Sequence, residues 1–475
     1  MLLVFTNGRA GESRRSLFCW EGWGEIQKCK EYTGHARKNA YSKWGFEMRF
    51  YVLLVVSLVM FIACGTAQQS GNEKQEKDRL AWWREARFGM FIHWGPVSLK
   101  GTEISWSRGG ERRGIEGKGK IPVDIYDGLY RQFNPVKFRA DKWVSIARAA
   151  GMKYMVLTAK HCDGFCLWHS SADEYSIANT PFKRDVCGEL AVAAHKSGMR
   201  LGWYYSPMDW RDPDCRTDRN SVYLKRMQGH LRELLSNYGR IDLLWFDTDG
   251  GSAPWDQAAT YGLIRSLQPQ VIINNRLDMG SAEDYKAQKI GPDADYQTPE
   301  QRIGAFDTVR PWETCMTLGT QWSWKPRDTI KTFEECLHIL VQCVTGDGNL
   351  LLNVGPMPNG EIEPRQVNVL RQIGKWLAVY GQSVYGTRGG PFHNGAWGGS
   401  TTKGNTVYLH ILKWDGDRVS LPVLRARIIA GKALTGGNVR IEQTDEVTII
   451  RVPVRKQSNV DTVVKLEMAA PATPQ

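Results

Sequence analysis

The sequence predicts a (β/α)8-like, TIM-type barrel followed by a small C-terminal antiparallel β-sandwich. Three observations carry this. Apolar β-runs alternate with helical stretches from about residue 80 to 384, and their near-continuous apolar character suits parallel strands buried on both faces. Four of the runs end in polar groups: Phe-Gly-Met-Phe-Ile-His-Trp-Gly (88–95), Val-Leu-Thr-Ala-Lys-His (156–161), Leu-Leu-Trp-Phe-Asp (243–247) and Val-Ile-Ile-Asn-Asn-Arg (271–276). A parallel barrel presents catalytic groups in that way, at one rim. After about 384 the pattern changes to short alternating segments divided by turn residues, the mark of an antiparallel sandwich. A doubly wound sheet would also alternate, but it usually has a Gly-rich phosphate turn after its first strand, and none occurs here.

In chain order, the strand at 88–95 precedes a Gly/Arg-rich insertion (101–135) and a helix near 140–150. A strand at 154–161, a helix at 188–198, a strand at 201–206 and a helix at 220–238 follow. Next come a strand at 241–247, a helix at 255–267, a strand at 270–276 and short strands near 294–299 and 311–317. The helix at 329–345 places Phe333, Cys336, Leu337, Leu340 and Cys343 on one apolar stripe, so these cysteines are expected in the core. The strand 349–354 and an amphipathic helix at 362–381 complete the series. Gly-Thr-Arg-Gly-Gly-Pro (386–391) breaks that helix, and 406–412, 426–430 and 447–453 read as sandwich strands. The barrel is therefore set at 80–384 and the sandwich, expected to pack on it without carrying chemistry, at 385–475.

Ahead of the barrel, Met48-Arg49-Phe50 is followed by an apolar run (51–63) and then Cys64-Gly65. A basic start, an apolar stretch and small residues at its end describe an export signal over 48–64. The run falls short of the roughly 20 residues a membrane span needs. Cys64 at the cleavage position resembles a lipoprotein signal, which would leave the chain exported to the periplasm or outer surface and lipid-anchored; plain secretion, without the anchor, is the alternative. Residues 1–47 then read as a spurious extension ahead of the true start, and 65–79 as a polar tether.

The net charge of +12 is compatible with attraction to anionic polymers such as sulfated glycans, but a soluble basic surface is the simpler reading. No Lys/Arg block or nucleic-acid motif supports DNA or RNA binding. Of ten cysteines, the seven from Cys162 onward show no zinc-type pairing and no readable disulfide pattern. Nineteen Trp residues suit both a large barrel core and the flat surfaces that sugars stack on.

Asp247 ends an apolar strand, and by strand alternation Trp245 points to the same side. A carboxylate there can serve as nucleophile or base, or as a structural cap; Asp249 nearby is better explained as turn chemistry. His93 and His161 end two other strands. They can hydrogen-bond substrate hydroxyls, sit buried as structural groups, or join Asp163 in binding a metal. A retaining glycosidase needs a second carboxyl group about 5–5.5 Å from the first. Glu300 and Glu313 are the candidates, and sequence spacing does not decide between them.

Taken in order, Phe-Gly-Met-Phe-Ile-His-Trp-Gly, Leu-Thr-Ala-Lys-His-Cys-Asp-Gly-Phe, Trp-Tyr-Tyr-Ser, Leu-Trp-Phe-Asp and Asn-Leu-Leu-Leu-Asn-Val-Gly-Pro resemble an α-L-fucosidase of glycoside hydrolase family 29. The resemblance runs from about 80 to 390. It implies a retaining exo-α-L-fucosidase acting on fucosylated oligosaccharides or glycoconjugates, with Asp247 as nucleophile and no metal or organic cofactor. Glu300 matches one segment that carries the acid/base in the family, and Glu313 matches another common segment. By the same matching, His93, His161, Tyr204, Trp245 and Arg276 line the sugar pocket, and Trp322 lies against the sugar's C5 methyl group. Two departures stand out: Cys162 replaces the second histidine of a His-His pair, and Glu103-Ile-Ser-Trp106 is a shifted form of the usual Glu-Trp pair. Two other readings remain open at this level: a surface lipoprotein that binds fucosylated glycans without turnover, and a metal-dependent barrel hydrolase.

Overall fold

A computed structural model describes residues 79–112, 115, 117–248 and 255–472. The expected extension (1–47), the export signal with Cys64 and all but the last residue of the tether lie outside the described residues. Arg79, placed at the tether's end, instead begins the helical residues 79–86 (α1) and pairs with Asp295 at 2.8 Å.

Seven parallel strands follow: β1 (Phe88–Ile92), β2 (Tyr154–Lys160), β3 (Arg200–Tyr205), β4 (Leu243–Phe246), β5 (Ile272–Ile273), β6 (Glu313–Thr317) and β7 (Asn349–Val354). They are ordered β5-β4-β3-β2-β1-β7-β6. Single parallel bridges from Asn274 to Tyr296, Gln297 to Trp312 and Glu300 to Cys315 join the two edges through residues 296–300. The barrel thus closes where the expected short strand near 294–299 lies, but through isolated pairs instead of a regular ladder. Strand β5 stops early for a similar reason. The Asn274 side chain accepts from the Phe246 N–H and donates to the Phe246 carbonyl, both at 2.8 Å, in place of a backbone ladder.

The helices α2 (Val123–Gly128), α3 (Ala140–Ala149), α4 (Val186–Ser197), α5 (Asn220–Ser236), α6 (Gln257–Leu267), α7 (Ala282–Ala287), α8 (Phe333–Thr345) and α9 (Pro364–Tyr380) lie between and after these strands. Local sequence explains several ends. The Asp185 carboxylate accepts from Gly188 N–H to cap α4, and Thr332 with Glu335 forms a reciprocal capping box on α8. Among the described residues, no helix is long and apolar enough to cross a membrane.

Strand alternation divides the core in two. Phe88, Met90, Ile92, Met155, Leu157, Leu201 and Trp203 face the helices in the large outer cluster. Phe91, Tyr154, Val156, Tyr204, Leu243, Trp245, Ile272 and Leu351 fill the barrel interior, with Trp83 of α1 beneath them. Gly89 stands at an inward position where any side chain would overlap the Tyr154 ring. Below the strands, Asp347 is held by the buried Arg87 at 2.6 Å and by Arg388 and the Gly389 N–H at 2.9 Å. These two guanidinium groups outweigh the effect of burial and keep the Asp347 carboxyl below its ordinary range.

The C-terminal strands are β8 (Arg388–Gly389), β9 (Gly398–Lys403), β10 (Thr406–Ile411), β11 (Arg418–Leu421), β12 (Ile428–Ala433), β13 (Arg440–Gln443), β14 (Thr448–Arg451) and β15 (Thr462–Met468). They form a five-stranded sheet, β12-β15-β10-β9-β8, and a three-stranded sheet, β11-β14-β13, both antiparallel. Val407, Leu409, Val419, Ile450 and Val464 pack in a core of their own. His338 of α8 bonds the Val460 carbonyl at 2.7 Å, which ties this sandwich to the barrel's helical layer.

Candidate active site

The strand ends converge on a pocket of about 330 Å³. His93, His161, Tyr204, Trp245, Asp247, Arg276, Glu300 and Trp322 all line it. In β1, β3 and β4, plain alternation delivers the inward side chains: His93 follows Phe91 by two residues, and Asp247 follows Trp245 by two. His161 needs a correction of phase. The β2–β3 register shifts between Thr158 and Lys160, so His161 turns into the pocket. Lys160 instead pairs with Asp209 at 3.2 Å and donates to the Ser206 and Met208 carbonyls.

Arg276 organises the two carboxylates. One nitrogen donates to Asp247 at 2.6 Å and another to Glu300 at 2.8 Å. The guanidinium also donates to the Thr298 side chain and carbonyl, and its carbon lies 4.5 Å from the Trp245 ring centroid. Asp247 accepts a second bond, at 2.7 Å, from the Tyr204 hydroxyl, and Glu300 a second, at 2.9 Å, from Tyr285. Burial pushes Asp247 up to about 6 against the pull of Arg276 and Tyr204. Glu300 is partly buried, but Arg276 and Tyr285 outweigh the effect of that and hold it below the usual carboxylate range. In the free enzyme, therefore, the one proton the pair takes up as pH falls through about 6 sits on Asp247.

Aromatic rings form the walls. Tyr204 stacks between His161 (5.2 Å, 7°) and Trp245 (5.5 Å, 17°), while Trp322 lies over His93 at 4.7 Å. Burial makes both histidines weak bases, taking His93 down to about 3 and His161 well below its ordinary value. The Cys162 thiol also faces the pocket, 3.3 Å from the Ser206 hydroxyl, and burial pushes it up well above its ordinary range.

Glu313, the other candidate carboxylate, is not in the pocket. It is the first residue of β6, at the opposite end of that strand from the rim. It is fully buried under the barrel floor, where Trp83 and the Tyr154 hydroxyl donate to it, and burial raises it to about 7. Asp163 also stays out, accepting from the Tyr126 hydroxyl at 2.6 Å, and does not join His93 and His161 in a ligand set. Among the described residues, one group of three lies close enough to share a metal ion, Cys166, Asp173 and His230, and none of them lines the pocket.

The sequence reading missed Tyr285. It sits on the short helix α7 with no apolar run before it to give it away, and only the fold brings it to Glu300. Trp106, 40% exposed, is at the mouth with Ile115 and Met208. Its neighbour Glu103 does not line the pocket. It accepts from the Trp322 and Ser323 backbone N–H groups at 2.8 and 3.1 Å and so anchors the loop that presents Trp322.

Residues 61–382 match the family model described as alpha-L-fucosidase. The plasma alpha-L-fucosidases of Pongo abelii and Homo sapiens are 34% and 33% identical to this chain, each alignment covering 70% of it and 76% of the relative. Alpha-L-fucosidase isoenzyme 1 from Paenibacillus thiaminolyticus superposes with a TM-score of 0.74 at 34% identity, covering 83% of this chain and 99% of its own. A GH29 alpha-L-fucosidase from Bacteroides thetaiotaomicron, solved as a trapped covalent intermediate, gives a TM-score of 0.72 at 29% identity, with 83% and 96% covered.

Proposed function

This chain belongs to the α-L-fucosidases of glycoside hydrolase family 29, and from that premise we propose how its pocket performs a retaining hydrolysis of terminal α-L-fucose. The observation that carries the assignment of roles is Arg276 reaching both Asp247 and Glu300. One guanidinium spanning both groups suits the close spacing, about 5–5.5 Å, that a double displacement requires.

Asp247 attacks the anomeric carbon of the α-L-fucoside while Glu300 gives its proton to the departing glycosidic oxygen. The C–O bond to the leaving group breaks, and a β-L-fucosyl ester forms on Asp247. Glu300 then takes a proton from water as that water attacks the anomeric carbon of the ester, releasing α-L-fucose. These roles require the proton on Glu300, the reverse of the free enzyme. Substrate supplies the reversal. The Glu300 side chain is 30% exposed in the free site, so a sugar covering it removes water and raises it. Positive charge developing at the anomeric carbon meanwhile favours the Asp247 carboxylate.

The two carboxylates also set the pH profile. Because kcat/KM reports the free enzyme and the reaction needs the pair's one proton, it is expected to fall as pH rises through about 6, where Asp247 gives that proton up. The Tyr204 hydroxyl favours the ionised form, so Tyr204→Phe is expected to move this basic limb to higher pH. A limb that stays in place would remove Tyr204 from this role.

The reaction is tested by following an aryl α-L-fucoside by proton NMR, with α-L-fucose expected as the first-formed product. β-L-Fucose would overturn the double displacement, and fucoside binding with no turnover would favour a capture protein. The basic start at Met48-Arg49, the apolar run 51–63 and Cys64 support export and lipid attachment, which places the substrate outside the cytoplasm.

A further inference from the structure

The pocket histidines are built in with opposite hydrogen-bonding polarity. Asn353 donates from Nδ2 to the Trp322 carbonyl at 2.7 Å, and a carbonyl oxygen only accepts, so the amide orientation is settled. Its Oδ1 therefore faces His93 Nδ1, at 2.7 Å, and has no proton to give. The proton between them belongs to His93 Nδ1, which leaves His93 Nε2 as a bare acceptor.

His161 is arranged the other way. Its Nδ1 lies 2.6 Å from the Ser105 hydroxyl, and that same oxygen accepts from the Asp163 backbone N–H at 2.9 Å. With no other acceptor for its own proton among these contacts, the Ser105 hydroxyl donates to His161 Nδ1, and the imidazole proton sits on Nε2. The Ser105 backbone is itself fixed. The residue is fully buried, with φ of 56°, and its N–H donates to the Tyr126 hydroxyl at 2.7 Å. That hydroxyl donates in turn to Asp163 at 2.6 Å.

We propose that Asn353 and Ser105 are positioning residues that fix His93 and His161 as opposite neutral tautomers. The pocket thereby reads two neighbouring sugar hydroxyls, one donating to His93 Nε2 and the other accepting from His161 Nε2–H. The ring centroids are 5.7 Å apart, which places the two contacts side by side. The substrate part of this inference rests on the pocket being the fucose site. The tautomers rest on the protein alone, and both rings stay neutral at working pH because burial disfavours their charged forms.

The test is a two-bond proton–nitrogen NMR spectrum of enzyme with labelled histidine at pH 7, the two signals assigned from His93→Gln and His161→Gln. The expected result is a proton on Nδ1 of His93 and on Nε2 of His161. In Ser105→Ala, the His161 signal is expected to move to a tautomer mixture while that of His93 holds. The same variant should lose about tenfold in kcat/KM on an aryl α-L-fucoside. That loss should vanish on the monodeoxy fucoside lacking the hydroxyl that His161 donates to. Matching tautomers in the unmodified enzyme would overturn the proposal even if the variant does not fold, and so would a His161 signal unmoved by Ser105→Ala. Absence of fucoside turnover by the unmodified enzyme would instead overturn the catalytic reading, leaving the tautomers to be read as before.

Discussion

Replacing Asp247 by alanine is expected to lower kcat/KM for an aryl α-L-fucoside by on the order of 10,000-fold. The carboxylate is the group that forms the covalent bond, and nothing nearby can substitute for it. Tyr204 and Arg276 both donate to it, and the Cys162 thiol is held protonated by burial. Removing the side chain leaves a gap beside a guanidinium that has lost one of its two anions, a place suited to a small anion. Azide is therefore expected to restore part of the rate by attacking from the same side as Asp247, with β-L-fucosyl azide as the product. Activity within about tenfold of the unmodified enzyme would remove Asp247 from the mechanism.

Glu300→Ala is expected to cost about 100- to 10,000-fold, the range typical of general acid–base groups. The loss should be smaller for substrates whose leaving group needs little protonation. Here azide attacks after the covalent ester has formed and from the opposite face, so the product is α-L-fucosyl azide. The two variants thus give azides of opposite configuration, and each identifies its own step. Glu313→Ala is expected to give neither azide. It removes the acceptor of Trp83 and Tyr154 beneath the barrel floor, and the effect to measure is a lower Tm. An α-azide from Glu313→Ala and none from Glu300→Ala would exchange the two roles.

The strand-end residues are legible in the sequence because alternation is a local property. His93, Tyr204, Trp245 and Asp247 stand at inward positions of regular parallel strands, and the apolar runs that announce those strands also set their phase. Helix ends are less readable: the capping box of Thr332 and Glu335 starts α8 at Phe333, four residues after the expected start at 329. The sandwich is legible less completely. Three of its strands fall on alternating apolar segments, whereas β9 is Gly-Gly-Ser-Thr-Thr-Lys and carries no such signal. What makes β9 a strand is its pairing with β10, a partner outside its own sequence.

By itself, then, the sequence determined the barrel, the sandwich, the order of the strands and the residues that reach the rim, since each depends on a short repeating pattern of burial. Only the tertiary structure decided between Glu300 and Glu313. Both lie near apolar segments, but Glu300 stands where the barrel closes at its rim and Glu313 at the buried start of β6. It alone brought Tyr285 to Glu300, turned His161 inward through a register shift, and set Glu103 as the anchor of Trp322. The physical reason is common to all four. Each depends on distances between segments far apart in the chain, and no local pattern encodes those distances.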